Sequence, residues 1–231
     1  MGLFLESETE QVGFGFAGPA QHGLEFPKPL AEKYRPVRVC EFIALDKVRK
    51  ILGAFIQRPS SCAWVFNGPS GVGKSTMALA MARELGAEVH HIPSQKCNAE
   101  NIEAAIRMCW YATRTPGGFH LVLIDEADRM TAAAQLQLLS KLDSTDPPPQ
   151  TIFVFTCNNT EGLEKRFLSR CRVLEFSSYG MRDDLATFLA KVWVAETGSD
   201  AGAPDFARLA KDSTNNVRDA LMRLELELLA R

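Results

Sequence analysis

Gly68-Pro69-Ser70-Gly71-Val72-Gly73-Lys74-Ser75-Thr76 sets two glycines, a lysine and a hydroxyl at the spacing G-x-x-x-x-G-K-[ST]. Glycines at those positions let backbone N–H groups turn inward and cradle phosphate oxygens. A helix starting immediately afterwards adds the partial positive charge of its N-terminus. Lys74 then reaches the β- and γ-phosphates, and the Ser75 hydroxyl can ligate Mg²⁺. This is a P-loop, and it points to a bound nucleoside triphosphate.

The apolar run His120-Leu121-Val122-Leu123-Ile124 ends in Asp125-Glu126-Ala127-Asp128. Such a run suits a central parallel strand buried on both faces, with acids emerging at its carboxyl end. Asp125 is the residue placed to hold the Mg²⁺ shell. Glu126, one step on, is placed to polarise an attacking water as base. Two acids in this setting argue for hydrolysis of the triphosphate over binding alone.

The elements that must position these groups follow from periodicity. Ala63 to Phe66 reads as a buried strand, and Thr76 to Leu85 as a helix closed by Gly86. Leu45, Val48, Ile51, Leu52, Phe55 and Ile56 fall at helical spacing, as do Ile102, Ala105, Ile106, Cys109 and Trp110. Glu88 to Ile92, Thr151 to Thr156 and Val173 to Phe176 read as further strands, and Ala132 to Leu142 as a helix. Alternating strands and helices imply an α/β fold whose parallel sheet is covered on both faces.

From Ser178 onward the strand signals stop. Met181, Leu185, Phe188, Leu189 and Val192 form one helical stripe, Pro204 opens a shorter helix, and Val217, Leu221, Leu224 and Leu228 form a third stripe. The organisation expected is a flexible N-terminal extension over 1–28, rich in Gly, Phe and Pro, a nucleotide-binding α/β domain over 29–178, and an all-helical domain over 179–231.

A net charge of −2 excludes a global electrostatic signature of nucleic-acid binding, so any such contact would need a local patch. No apolar stretch reaches bilayer length, which argues against a membrane role, and the acidic start Met1 to Glu8 lacks the basic region of a secretory signal. The expected location is therefore the cytoplasm. Six scattered cysteines without a C-x-x-C pair are expected reduced and mostly packed inside. His90, His91, Cys97 and Cys109 match no standard metal-ligand spacing, and ordinary packing is expected of them.

Further segments share one family pattern. Glu32-Lys33-Tyr34-Arg35-Pro36, the P-loop, Asp125 to Thr131, Phe155-Thr156-Cys157-Asn158, Ser169-Arg170-Cys171 and Asn216 to Leu221 occur in this order. Together they resemble AAA+ ATPases, specifically clamp-loader small subunits of the replication factor C type, from about Pro29 to the C-terminus. The resemblance implies ATP as the nucleotide with Mg²⁺, and a small helical lid after the ATPase domain. It implies that Asn158, with Asn159 as fallback, acts as sensor 1 and orients the attacking water. Arg170, flanked by Arg166 and Arg172, would be an arginine finger acting in the neighbouring subunit's site. Arg218 would be sensor 2, bringing the lid's charge onto the γ-phosphate. Tyr34, Arg35, Pro36 and Val37 would line the adenine end.

The partners implied are other AAA+ subunits, a sliding clamp and primer–template DNA, in the nucleoid or nucleus where the host has one. Lys96, Arg107 and Arg129 are the candidates for DNA phosphate contacts. The family often has N-A-S-x-D where this chain has Pro93-Ser94-Gln95-Lys96-Cys97. The sequence ends at Arg231, with no collar domain of the kind expected after the lid. Alternatives are another DNA-processing AAA+ ATPase, such as a helicase loader or branch-migration motor, and a nucleotide-binding scaffold without turnover.

Overall fold

The structure, a computed structural model, describes residues 28–143 and 147–230. The extension expected over 1–28 lies almost wholly outside the described residues. In chain order the elements are α1 (Leu30–Lys33), α2 (Asp46–Gln57), β1 (Cys62–Asn67), α3 (Lys74–Glu84), β2 (Glu88–Ile92), α4 (Ala99–Met108) and β3 (His120–Ile124). There follow α5 (Ala132–Leu142), β4 (Thr151–Cys157), α6 (Lys165–Leu168), β5 (Arg172–Glu175), α7 (Arg182–Thr197), α8 (Phe206–Asp212) and α9 (Val217–Leu229).

All five strands pair in parallel, in the order β2-β3-β4-β1-β5. The chain crosses from β1 over β4 and β3 to reach β2, so the strand order reverses beside β1. Ligands of open α/β sheets bind in the crevice at the carboxyl ends of strands next to such a reversal.

Side-chain alternation along the strands divides the interior into two cores. Trp64, Phe66, Leu121, Leu123, Ile152 and Val154 face one way, beneath α2, α3 and the C-terminal helices. Ala63, Val65, Val122, Ile124, Phe153 and Phe155 face the other way, beneath α4, α5 and α6. Every residue of β3 and β4 is buried, as continuous apolar runs require of central strands. Each large side chain so buried contributes about 1.5–3 kcal/mol of transfer free energy. The two cores therefore clamp the sheet from both sides.

Several boundaries differ from the sequence expectations. The helix after the P-loop begins at Lys74, two residues early, because the left-handed Gly73 turns the chain directly into it. The helix expected at Pro204 begins at Phe206, since Asp205 is the cap and its side chain accepts a hydrogen bond from the Arg208 amide. Trp110 falls past the end of α4 and is 49% exposed, not part of the buried stripe. The short α6 carries no amphipathic period of its own; Phe167 anchors it, edge-on to Phe155 at 4.9 Å.

Candidate functional site

The P-loop leaves the end of β1 and feeds α3, so the first amides of that helix face the crevice. Its glycines are sterically required at two points. A Cβ on Gly68 would lie 2.1 Å from the Phe176 carbonyl oxygen, and Gly71 sits at φ +78° with the Asn216 side chain 2.0 Å from where its Cβ would be. Lys74 is buried, and its ammonium donates to the carbonyls of Gly68 (2.6 Å) and Pro69 (2.8 Å) and to Asn158 Oδ1 (3.1 Å). Burial pushes its pKa down, while the charges of Asp128, Asp125 and Glu126 push back. A lysine so buried among carbonyl oxygens is a cation placed to meet anionic oxygen.

Three groups converge on Asp125. The Ser75 hydroxyl donates to its Oδ1 (2.5 Å), Thr156 Oγ1 donates to the same oxygen (2.9 Å), and His91 Nε2 meets Oδ2 (2.6 Å). Ser75 and Asp125 are hard oxygen ligands one hydrogen bond apart, the donor chemistry that suits Mg²⁺. Glu126 has φ +53°, an uncommon conformation for a non-glycine residue, held by its amide donating to Thr156 Oγ1 at 3.2 Å. Its carboxylate pairs with Arg129 at 3.2 Å.

Asp125, Glu126 and Thr156 line one cavity of about 940 Å³ together with Ser70 to Thr76, Asn158, Tyr34, Arg35, Pro36 and Arg218. Gly68 and Pro69 stand behind its wall and reach it only through their carbonyls on Lys74. Val37 does not line it; Val37 is exposed, and its amide donates to Glu41 Oε2 at 2.8 Å.

Tyr34 donates to Glu196 of α7, which also pairs with Lys33 at 2.8 Å. Burial and that carboxylate push the Tyr34 hydroxyl up to about 12, so it stays a donor throughout the neutral range. Lys33 and then Tyr34 hold the Glu196 carboxyl below its usual value. The entry segment is thus tied to the C-terminal helices, and Asn216, cap of α9, donates to the Ser70 carbonyl at 3.2 Å.

Arg170 is not among the cavity-lining residues. Its guanidinium grips Asp143 bidentately, at 2.6 and 3.0 Å, and donates to the Arg166 carbonyl at 2.6 Å. The hydrogen bond from Arg170 holds the Asp143 carboxyl below the usual range. Lys96, Arg107 and Arg129 are all exposed and also do not line the cavity; Arg107 lies 3.7 Å from Glu103 on its own helix.

Sequence reasoning missed Thr156, His91, Asn216, Phe42 and the apolar Phe188, Val217 and Leu221, which line the cavity or bond to groups that do. Helical periodicity marks Phe188, Val217 and Leu221 as facing inward. It does not say whether protein or ligand covers them.

The AAA family, described as "ATPase family associated with various cellular activities", matches residues 64–179. The replication factor C small subunit 1 of Pyrobaculum islandicum is 35% identical over 154 residues, 63% of this chain and 46% of the relative. The replication factor C small subunit of Thermofilum pendens is 30% identical over 205 residues, 84% of this chain and 61% of the relative. The chain thus spans about half the length of the curated relatives it matches, between 46% and 61% in these two. Among solved structures, the Thermotoga maritima RuvB Holliday junction branch migration motor superposes with a TM-score of 0.66 at 23% identity, over 83% of this chain and 64% of that one. A point variant of the same protein superposes at 0.67 with 22% identity and the same coverage. That likeness concerns the fold alone. Among the described residues no helix is long and apolar enough to cross a membrane. The chain belongs to the AAA family of ATPases, and within it resembles replication factor C small subunits.

Proposed function

We propose that this chain is an ATP-hydrolysing subunit of a clamp-loader-type assembly, with an ATPase domain over 29–178 and a helical lid over 179–231. The observation that carries the reading is a separation. Lys74, Ser75, Asp125, Glu126, Asn158 and Arg218 meet at one cavity, while Arg170 is held outside it by Asp143. A finger outside its own site is arranged to serve a neighbour's.

In this reading the P-loop amides and Lys74 bind the β- and γ-phosphates, and Ser75 and Asp125 hold Mg²⁺. Bound there, Mg²⁺ would supply positive charge against the phosphate oxygens. Glu126 accepts a proton from the attacking water, and Asn158, linked to Lys74, orients that water. Arg218 approaches the γ-phosphate from α9. Tyr34, Arg35, Pro36 and the apolar residues behind them hold the adenine. Arg170 of one subunit stabilises charge developing in the next, an effect worth about 10³–10⁵-fold in such enzymes.

Lys96, Arg107 and Arg129 are assigned to the phosphates of primer–template DNA, and their exposure is compatible with that. ATP binding would favour the assembled, clamp-gripping state through these contacts, and hydrolysis would remove the bias. A second reading, another DNA-processing motor such as a helicase loader or branch-migration ATPase, is favoured by the fold-level likeness to RuvB.

The test is complementation. Lys74→Ala and Arg170→Ala chains are assayed for ATP hydrolysis alone and mixed, with primed DNA or a four-way junction. Each variant should be inactive and the mixture should recover turnover, because one supplies the finger and the other the site. A mixture as dead as its parts sinks the trans-acting role. Stimulation by primed DNA favours clamp loading and stimulation by the junction the second reading. ATP binding without turnover in any combination leaves a scaffold.

A further inference from the structure

The nucleotide cavity occupies the carboxyl ends of the strands. Near the start of β3 there is a second convergence of chemistry-bearing side chains. His120 is the first residue of β3, His90 lies on the edge strand β2, and Cys109 caps the end of α4. In sequence, His90 and Cys109 stand with His91 and Cys97, a set that matches no standard metal-ligand spacing. The strand period separates them: His91 turns to the opposite face and meets Asp125, while His90 shares a face with Glu88, whose Cα pairs in register with His120. The residue that completes the group is His120, on the neighbouring strand β3.

The contacts give this group a defined polarity. His120 Nε2 lies 2.9 Å from the Tyr111 carbonyl oxygen. A carbonyl only accepts, so Nε2 carries the proton and the bare Nδ1 faces His90 Nε2 at 3.0 Å. Fixing one ring N–H on a backbone carbonyl is how proteins orient a metal-binding imidazole. The His90, Cys109 and His120 ligand atoms all lie within 4.8 Å of one another. His120 and Cys109 are buried, whereas His90 is partly exposed on the edge strand, so the group has a path to solvent.

We propose that His90, Cys109 and His120 form a zinc(II) site, distinct from the nucleotide cavity. One thiolate and two imidazoles suit a borderline-soft ion, unlike the hard oxygens of Ser75 and Asp125. Tetrahedral zinc, with Zn–N of about 2.0–2.1 Å and Zn–S of about 2.3 Å, sets ligand edges of about 3.3 Å between nitrogens and about 3.6 Å between nitrogen and sulfur. The imidazoles need part by only about 0.3 Å and the thiol approach by about 1.2 Å or less to meet those edges.

Binding replaces the His90–His120 hydrogen bond. His90 moves its ring proton to Nδ1, and Cys109, whose thiol donates to the Ala105 carbonyl at 3.3 Å, releases one proton to solvent as it becomes thiolate. Water or the Glu88 carboxylate takes the fourth position. The ion joins β2, β3 and the end of α4, and so braces the helix end and turn that carry the exposed Met108, Trp110 and Tyr111.

Cobalt(II) titration of the reduced full chain, in buffer free of magnesium and nucleotide, reads the site directly. The expected result is a thiolate-to-cobalt charge-transfer band that saturates at one equivalent, is bleached by equimolar zinc, survives Cys97→Ser and disappears in Cys109→Ser. His90→Gln should weaken cobalt binding by about tenfold or more and abolish a zinc-dependent rise of several degrees in the thermal midpoint. No charge-transfer band at one equivalent overturns the proposal, and so does a band that persists in Cys109→Ser. Should Cys109→Ser fail to fold by circular dichroism, His90→Gln decides, and unchanged affinity there is equally fatal.

Discussion

The phosphate end of the cavity and the corner that holds Arg170 lie within the same AAA-matched stretch, yet they treat their charges in opposite ways. In the cavity, Lys74 is buried and bonded to Gly68, Pro69 and Asn158, while Ser75, Thr156 and His91 share the two oxygens of Asp125. Each group holds another in place, so a ligand meets a preorganised set and little reorganises during reaction. At the corner, Arg170 has one carboxylate and one carbonyl, both in partly exposed positions. A pair of that kind contributes little to stability and is readily exchanged. The cavity binds its charges into a shared network, and the corner leaves Arg170 on a partly exposed pair.

Removing the exchangeable charge should have the largest effect. Arg170→Ala is expected to cut assembled turnover by about 10³–10⁵-fold while leaving ATP affinity within a few-fold. Equal losses of affinity and turnover, read from equilibrium binding and steady-state rates, would place Arg170 in its own subunit's site and erase the contrast. Next, Glu126→Gln should lower turnover by about 10²–10⁴-fold with nucleotide still bound, because it removes only the base. Retained turnover would pass that role to another group.

Within the cavity, Gly71→Ala forces a side chain into a left-handed conformation and against Asn216. A loss of about 1–2 kcal/mol from the backbone alone should appear in urea unfolding, with weakened ATP binding beside it. Unchanged values would show that the P-loop and α9 are not held as one unit. Arg129→Ala frees Glu126 from its countercharge, and basal hydrolysis should rise a few-fold; a fall would show that Arg129 positions the acid.

The smallest effect belongs to Asp143. Its folded pKa is depressed by Arg170, so whatever stability the pair contributes is present above the ordinary carboxylate value of about 4 and fades as the pH falls through the lower folded value. Asp143→Asn should leave the thermal midpoint at neutral pH nearly unchanged and flatten only that acidic limb. A large loss at neutral pH would mean the corner is a rigid structural joint.

Legibility in the sequence followed locality. The glycine spacing, the acids after β3 and the strands of continuous apolar residues could be read because each is a short contiguous pattern with one physical meaning. Thr156 is a strand residue like any other until the parallel register sets β4 beside β3 and its hydroxyl against Asp125. The family resemblance puts Val37 with its neighbours at the adenine end, but its amide is taken by Glu41, and it does not line the cavity. His120 gave no sign of meeting Cys109, since the intervening helix end and turn must fold back first.

Residue types and spacing, then, were enough to establish a phosphate-binding loop, an acidic strand end and an α/β sheet, because backbone geometry and charge at neighbouring positions dictate them. Long-range pairing settled the rest: which face each histidine takes, which groups share Asp125, and that Arg170 leans on Asp143 outside its own cavity. Those outcomes depend on strand order and register, which arise from burying two apolar faces at once and leave no mark at any single position.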